Sequence, residues 1–247
     1  MPTAHEKILC VIPARFGSKR LPGKPLIMIK NIPLVVWTYR HAIGSGVFDK
    51  VCIATDDRRI VSAAERMGAA AVMTSADHAS GTDRVLEASE ALPYNYIVNI
   101  QGDEPLIPAE MLRTMAKHMK SIDDNSLLTC VSNATIEDGN NPNVVKVVCN
   151  IKDEALYFSR SPIPYDRDGS GARRLKHRGV YGFTKASLSR FCGLGEGRLE
   201  KTERLEQLRA LEQGMSIKCF LYDYPGISVD TAEDVTAFKK MVEGEFP

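Results

Sequence analysis

Arg15, Lys19, Arg20 and Lys24 crowd into one short stretch, Pro13-Ala14-Arg15-Phe16-Gly17-Ser18-Lys19-Arg20-Leu21-Pro22-Gly23-Lys24-Pro25, directly after an apolar run at residues 8–12. The run reads as a first strand, and the stretch after it as a loop. Glycines let a backbone come close to a ligand, and clustered Arg and Lys suit a polyphosphate. A solvated basic connector is the plain alternative. It is disfavoured because ligands of α/β sheets sit in the loops at the carboxyl ends of strands. The familiar nucleotide motifs fail here. Gly17 and Gly23 are separated by five residues rather than four, and Lys24 is followed by Pro25, which offers no hydroxyl for a metal. No Gly-x-Gly-x-x-Gly follows the first strand either. The loop therefore relies on side-chain cations.

Two acidic segments could face such a loop. Gln101-Gly102-Asp103-Glu104-Pro105 follows the apolar run 96–100, so Asp103 projects from the carboxyl end of a strand. A carboxylate there, facing a triphosphate, is a candidate magnesium ligand, because magnesium is commonly held by one or two carboxylates plus phosphates. Taken alone, Asp103 also reads as a simple turn residue. In Gly226-Ile227-Ser228-Val229-Asp230-Thr231-Ala232-Glu233-Asp234, residue chemistry alone makes Asp230 a helix N-cap with Glu233 as its capping-box partner. Ser80 and Asp83 in Ser80-Gly81-Thr82-Asp83-Arg84 likewise read as caps. A helix start also presents N–H groups to a ligand, so the two readings are compatible.

The elements that must hold these residues alternate. Short buried strands are expected at 50–55, 70–73, 96–100 and 127–131, with helices at 34–43, 58–67, 84–91 and 109–120. That order implies a parallel, doubly wound sheet. Leu112, Met115, Ala116 and Met119 recur at helical spacing and read as core. Beyond this the pattern changes. Residues 143–150 and 155–158 read as strands with no helix between them, 166–174 as a polar loop and 177–184 as another strand. A single charged helix is expected over 201–213, then a strand at 217–222 and a last helix from Thr231. Residues 144–214 thus form a smaller mixed α/β region, and residues 1–143 with 215–247 the nucleotide-binding part of one domain.

Composition narrows the classes. At 247 residues, with 44% hydrophobic and 26% charged residues, the chain reads as globular. A net charge of +1 argues against a broad nucleic-acid or membrane-surface role. No apolar run approaches the ~20 residues that span a bilayer, and the polar residues 1–7 do not read as a signal peptide. The six scattered cysteines form no Cys-x-x-Cys and read as free thiols in a reducing cytoplasm. A transition-metal site is not supported.

Several segments recur in one order: Ala54-Thr55-Asp56-Asp57, Tyr157-Phe158-Ser159-Arg160-Ser161-Pro162-Ile163-Pro164, His177-Arg178-Gly179-Val180-Tyr181-Gly182, Leu205-Glu206-Gln207-Leu208-Arg209 and Val229-Asp230-Thr231. With the basic loop, the 80–84 turn and the 101–105 turn, the chain resembles the 3-deoxy-manno-octulosonate (Kdo) cytidylyltransferases, or CMP-Kdo synthetases, over essentially its whole length. The resemblance implies a nucleotide-diphospho-sugar-transferase-like, Rossmann-like α/β fold. It also implies a homodimer and activation of Kdo by CTP for lipopolysaccharide biosynthesis. By position, Arg15, Arg20 and Lys24 would hold the CTP phosphates, Ser80, Gly81, Thr82 and Arg84 would approach cytosine and ribose, and Gln101 would also contact CTP. Asp103 and Asp230 match magnesium-binding aspartates, against the cap reading of Asp230, and with Lys24 form the catalytic set. Arg160, His177, Tyr181, Glu206 and Gln207 match the sugar-acid side. The chain departs from the family at Gly17-Ser18-Lys19, Ser228 and Ala232. The 8-amino form of Kdo, a sialic acid, a neutral sugar phosphate and a non-catalytic nucleotide-binding regulator remain alternatives.

Overall fold

The first strand, β1 (Ile8–Ala14), is buried along its whole length, as the centre of a parallel sheet requires. The computed structural model describes residues 6–17, 21–169 and 171–244. After β1 come the hairpin strands β2 (Met28–Ile29) and β3 (Ile32–Pro33), then α1 (Leu34–Gly44), β4 (Lys50–Thr55) and α2 (Arg58–Arg66). Next are β5 (Ala71–Met73), α3 (Gly81–Glu90), β6 (Tyr96–Ile100) and α4 (Ala109–His118). The chain continues through β7 (Ser126–Asn133), α5 (Ile136–Asn140), β8 (Lys146–Cys149), β9 (Ala155–Ser159) and β10 (Leu175–Thr184). It closes with α6 (Lys185–Gly193), α7 (Arg198–Glu203), α8 (Leu208–Glu212), β11 (Ser216–Leu221) and α9 (Ala232–Glu243). Two units are formed, one from residues up to Thr114 together with those from Pro225, the other from Met115–Tyr224.

In the first unit β1 pairs in parallel with β4 on one side and with β6 on the other, and β4 pairs in parallel with β5. The chain fills one flank of β1 with β4 and β5, then crosses to the opposite flank for β6. That reversal makes the carboxyl end of β1 a topological switch point, where an α/β sheet opens a crevice for a ligand. The basic loop leaves β1 at this end, and the 101–104 turn leaves β6 there too. A satellite core of Ile29, Leu34, Val229 and Phe238, closed by Trp37 packed edge-on against Phe238, fixes α9 and the segment before it.

The second unit is mixed. β7 runs parallel to β11 and antiparallel to β10, which pairs antiparallel with β8, and β8 pairs with β9 as a hairpin. The strands expected at 143–150 and 155–158 are this hairpin. The single helix expected over 201–213 does not form. It is split into α7 and α8 at Arg204, whose φ of 56° is left-handed. The break lets Glu200 and Arg209 form a buried ion pair, with contacts of 2.8 and 2.5 Å. Residues nine apart on a straight helix would lie roughly 13 Å apart, so the chain must fold back for them to meet. Helix α6, capped by Thr184, was not apparent in the sequence, nor was the five-residue α5.

Candidate active site

At the switch point of the first unit, the Lys24 ammonium donates to Oδ2 of Asp103 at 2.5 Å and to Oδ1 of Asp230 at 2.9 Å. Three segments far apart in sequence meet in this contact, and main-chain features bring them together. Gly23 adopts φ 69° and its N–H returns to the Phe16 carbonyl at 3.2 Å, which closes the basic loop ahead of Lys24. Gly102 passes so near β1 that a Cβ there would lie 3.1 Å from the Pro13 carbonyl oxygen. The Val229 N–H donates to the Asp103 carbonyl at 2.9 Å, fastening the 226–230 segment beside the 101–104 turn. Asp230 is not the cap of α9. Thr231 and Asp234 form the capping box, and Asp230 stands one residue outside it with its carboxylate turned to Lys24. Burial alone would depress the Lys24 ammonium. The two carboxylates, Asp103 foremost, outweigh it and hold the pKa above the ordinary lysine value.

The other residues expected to meet a nucleotide have contacts of their own. Arg15 is exposed immediately beyond β1. Arg20 lies outside the described residues. Ser80 caps α3 in a capping box with Asp83. Gly81 opens the helix against Pro13, where a Cβ would lie 3.5 Å from the proline ring and 4.0 Å from Oε1 of Gln101. Thr82 is buried in the same turn. The Arg84 guanidinium is buried too, and it donates to Asp56 at 2.9 Å, to the Ser75 carbonyl at 3.1 Å and to the Thr74 hydroxyl. It ties the loops after β4 and β5 to α3.

The second unit gathers the residues expected to receive a sugar acid. The register of β10 against β7 shifts between Arg178 and Tyr181. Four residues of regular strand span roughly 13 Å, yet the rings of His177 and Tyr181 are 5.3 Å apart. The Thr129 hydroxyl donates to the Val180 carbonyl at 2.8 Å, so His177 Nε2, 3.0 Å away, is the donor to Thr129 Oγ1. Burial, then the Arg178 charge, pushes the His177 pKa down to about 3, and the ring stays neutral. Burial, then the Glu206 carboxylate, holds the Tyr181 phenol well above its usual range. Glu206 and Gln207 sit in the turn that the break at Arg204 creates. Gln207 is 4% exposed, and its Nε2 has no hydrogen-bond partner among the described residues. A buried donor in that state is costly until a ligand supplies an acceptor. Arg160 donates through Nε to the Glu203 carbonyl and through Nη1 to the Pro142 carbonyl, both at 3.0 Å.

Sequence reasoning overlooked two supports of these clusters. Arg59, gripped by Asp57 at 2.9 and 2.6 Å, stacks 3.5 Å above the Phe16 ring in the basic loop. Lys146 is fully buried in β8. Its signal was legible, a lone cation inside Val144-Val145-Lys146-Val147-Val148. Among the described residues, no group of three or more His, Cys, Asp or Glu is placed to hold a metal ion. Asp103 and Asp230 are nevertheless hard oxygen donors aimed at one cation. That donor set fits a magnesium ion completed by phosphates.

A family profile described as Cytidylyltransferase matches residues 9–217. The chain is 45% identical to the 3-deoxy-manno-octulosonate cytidylyltransferase of Thermodesulfovibrio yellowstonii, covering 94% of this chain and 96% of that protein. It is 41% identical to the protein of the same name from Bdellovibrio bacteriovorus, covering 97% and 99%. The solved structure of a CMP:2-keto-3-deoxy-manno-octonic acid synthetase complexed with CTP superposes with a TM-score of 0.92 at 38% identity, covering 98% of this chain and 100% of the other.

Proposed function

The chain belongs to the cytidylyltransferase family and, within it, to the 3-deoxy-manno-octulosonate cytidylyltransferases, and from this we propose that it transfers the cytidylyl group of CTP to Kdo. It is a nucleotidyltransferase. The anomeric 2-hydroxyl oxygen of the sugar acid forms a bond to the α-phosphorus of CTP. The bond from that phosphorus to the β-phosphate bridge breaks, the hydroxyl proton is lost, and CMP-Kdo and pyrophosphate result. The activated sugar would then serve lipopolysaccharide assembly.

Asp103 and Asp230 would hold magnesium, which when bound supplies charge neutralisation at the phosphates and a lowered hydroxyl pKa. The observation that carries this assignment is the convergence of both carboxylates on one ammonium. Lys24 now bonds both carboxylates that would hold the ion, and a triphosphate would offer it another anionic partner. We assign Lys24, Arg15 and Arg20 to the phosphates. The α3 start at Ser80, Gly81 and Thr82, with Gln101, is assigned to cytosine and ribose. Arg84 acts through that turn, since its own contacts are internal. Arg160, His177, Tyr181, Glu206 and Gln207 are assigned to the sugar acid, supported by the buried Gln207 amide. With the protein providing no covalent nucleophile in this scheme, catalysis is positioning plus electrostatics.

We also propose a homodimer formed through the second unit, where Ile151, Ile136 and Tyr165 are 101%, 84% and 84% exposed. Ile151→Lys with Tyr165→Lys should then yield monomers by sedimentation, and unchanged dimers would exclude that face. No helix among the described residues is long and apolar enough to cross a membrane. The CTP requirement and six free cysteines support a cytoplasmic setting.

The reaction is tested by pyrophosphate release with each nucleoside triphosphate against Kdo, 8-amino-Kdo and sialic acid, with and without chelator. CTP with Kdo should dominate and require a divalent ion. Equal turnover with ATP, or a preference for another acid, would displace the substrate assignment. Full activity in chelator would displace the metal.

A further inference from the structure

Lys146 places a charge where the strand pattern asks for a hydrocarbon. Its side chain is wholly buried, and Nζ donates to three main-chain carbonyls: Asn141 at 2.8 Å, Val144 at 2.7 Å and Arg160 at 2.6 Å. Those bonds satisfy the ammonium but provide no counter-charge. Burial, then the nearby Arg160 charge, lowers its pKa, and the Glu203 and Asp138 carboxylates offset this only in part. A methionine would fill similar space but would leave three carbonyls without their donor, so the lysine is there to hold main chain rather than to fill volume. Packing alone does not account for the lysine.

What Lys146 touches is the frame of Arg160. It holds the Arg160 carbonyl directly. It also holds two carbonyls of the 141–144 turn, and the Arg160 Nη1 rests on a third carbonyl of that turn, at Pro142. From the other side, Glu203 accepts from the Arg160 main-chain N–H at 2.9 Å and, through its carbonyl, from Nε at 3.0 Å. The Glu203 carboxylate is itself pinned by the Ser159 hydroxyl at 2.6 Å. Two of the five guanidinium N–H donors are thereby spent inside the protein, which leaves the Nη2 edge for a planar anion.

We propose that Lys146 is a positioning residue for the carboxylate of the acidic sugar, acting through Arg160. It clamps the main chain and the turn that orient the guanidinium, and it places a second fixed positive charge behind it. A neutral sugar gains nothing from that charge, so Lys146 contributes to the choice of an acid. This rests on the assignment of Arg160 to the sugar acid.

The test compares Lys146→Met with wild type in pyrophosphate release at saturating CTP and magnesium, with Kdo carboxamide as a competing ligand. The KM for Kdo should rise about tenfold, while the KM for CTP stays within about twofold. The preference for Kdo over its carboxamide should narrow by a similar factor. A lowered melting temperature with the acid-to-amide preference intact would make Lys146 merely structural and overturn the proposal. Lys146→Gln, neutral yet able to donate, takes its place with the same outcomes if the methionine variant does not fold. Arg160→Met separates the two layers. If it leaves the KM for Kdo unmoved, the assignment of Arg160 fails and the proposal with it. If it raises that KM while the Lys146 variants do not, only the role of Lys146 falls.

Discussion

Lys24 in the first unit and Lys146 in the second are both withdrawn from water, and they are held in opposite ways. Lys24 is bridged to two carboxylates that remain partly exposed, at 22% and 31%. Each partner is an anion that another cation could claim. Lys146 is bonded to three carbonyls, has no exposed surface, and has no ionised acceptor among its hydrogen bonds. The first arrangement can be exchanged and suits a site where charges are redistributed during reaction. The second is fixed and suits a site that has to present one geometry to a ligand. Half-buried ion pairs at a switch point therefore mark chemistry, and carbonyl-caged ammonium groups mark a frame.

The comparison breaks most visibly at the carboxylates. Asp230→Asn and Asp103→Asn should each lower turnover on the order of a hundredfold or more. If both groups serve one ion, as proposed, the double variant should be little worse than either single. Thr231 and Asp234 keep the α9 cap, so Asp230→Asn should lose only the pair with Lys24, about 1 kcal/mol or less of thermal stability. Normal turnover in Asp230→Asn would remove the metal assignment and leave Lys24 in an ordinary surface pair.

Lys24→Ala should lose about a hundredfold in turnover. It should also uncover the carboxylates, so added magnesium chloride raises its melting temperature more than that of wild type. Equal magnesium responses would show that the ammonium does not guard the pair.

A sharper contrast between the units comes from pH. His177 has an unfolded pKa near 6.5 and a folded one of about 3. A depressed pKa stabilises the fold fully above the unfolded value, and that stability is lost as pH falls from 6.5 toward 3. The denaturation midpoint of wild type should drop across this window, less steeply for His177→Gln. Because His177 stays neutral, turnover should show no His177 limb near neutral pH. Parallel slopes in the two proteins would contradict the buried neutral ring. The smallest effects belong to the caps. Ser80→Ala and Thr231→Ala should each cost about 1 kcal/mol by chemical denaturation. Thr231→Ala should also lower turnover, since it sets the approach of Asp230, and Ser80→Ala should raise the KM for CTP. Unchanged kinetics in both would reduce the two boxes to helix ends.

Much of the first unit was legible in the sequence because parallel strands write their burial as continuous apolar runs. Lys50–Thr55 and Tyr96–Ile100 were read to the residue, and the loops after them follow from the alternation. The Ser80 cap was legible from its spacing. The Asp230 cap was misplaced by one residue, because Thr231-Ala232-Glu233-Asp234 offers an equally good box and only Val229, buried in the satellite core, fixes the register. In the second unit the break at Arg204 was illegible, since the Glu200–Arg209 pair that it permits spans nine residues and helical periodicity carries straight through. The bulge at Gly179-Val180 leaves no trace in strand alternation, although it brings His177 to Tyr181. Lys146 carried a signal in its valine run but not its meaning, which lies in carbonyls that no sequence pattern reports.

The ammonium resting between Asp103 and Asp230 also bears on which cations the protein can pick up by accident. A bare divalent ion would have to evict a bonded lysine and leave it without an anion. An ion arriving on a triphosphate brings the anion to which that lysine can move. Under the proposed assignment Asp103 and Asp230 would take an ion together with the nucleotide, and until then Lys24 would shield them from a bare calcium or manganese ion. On that assignment the lysine would tell a bare ion from one carried by a nucleotide, and would do so only while the enzyme is idle.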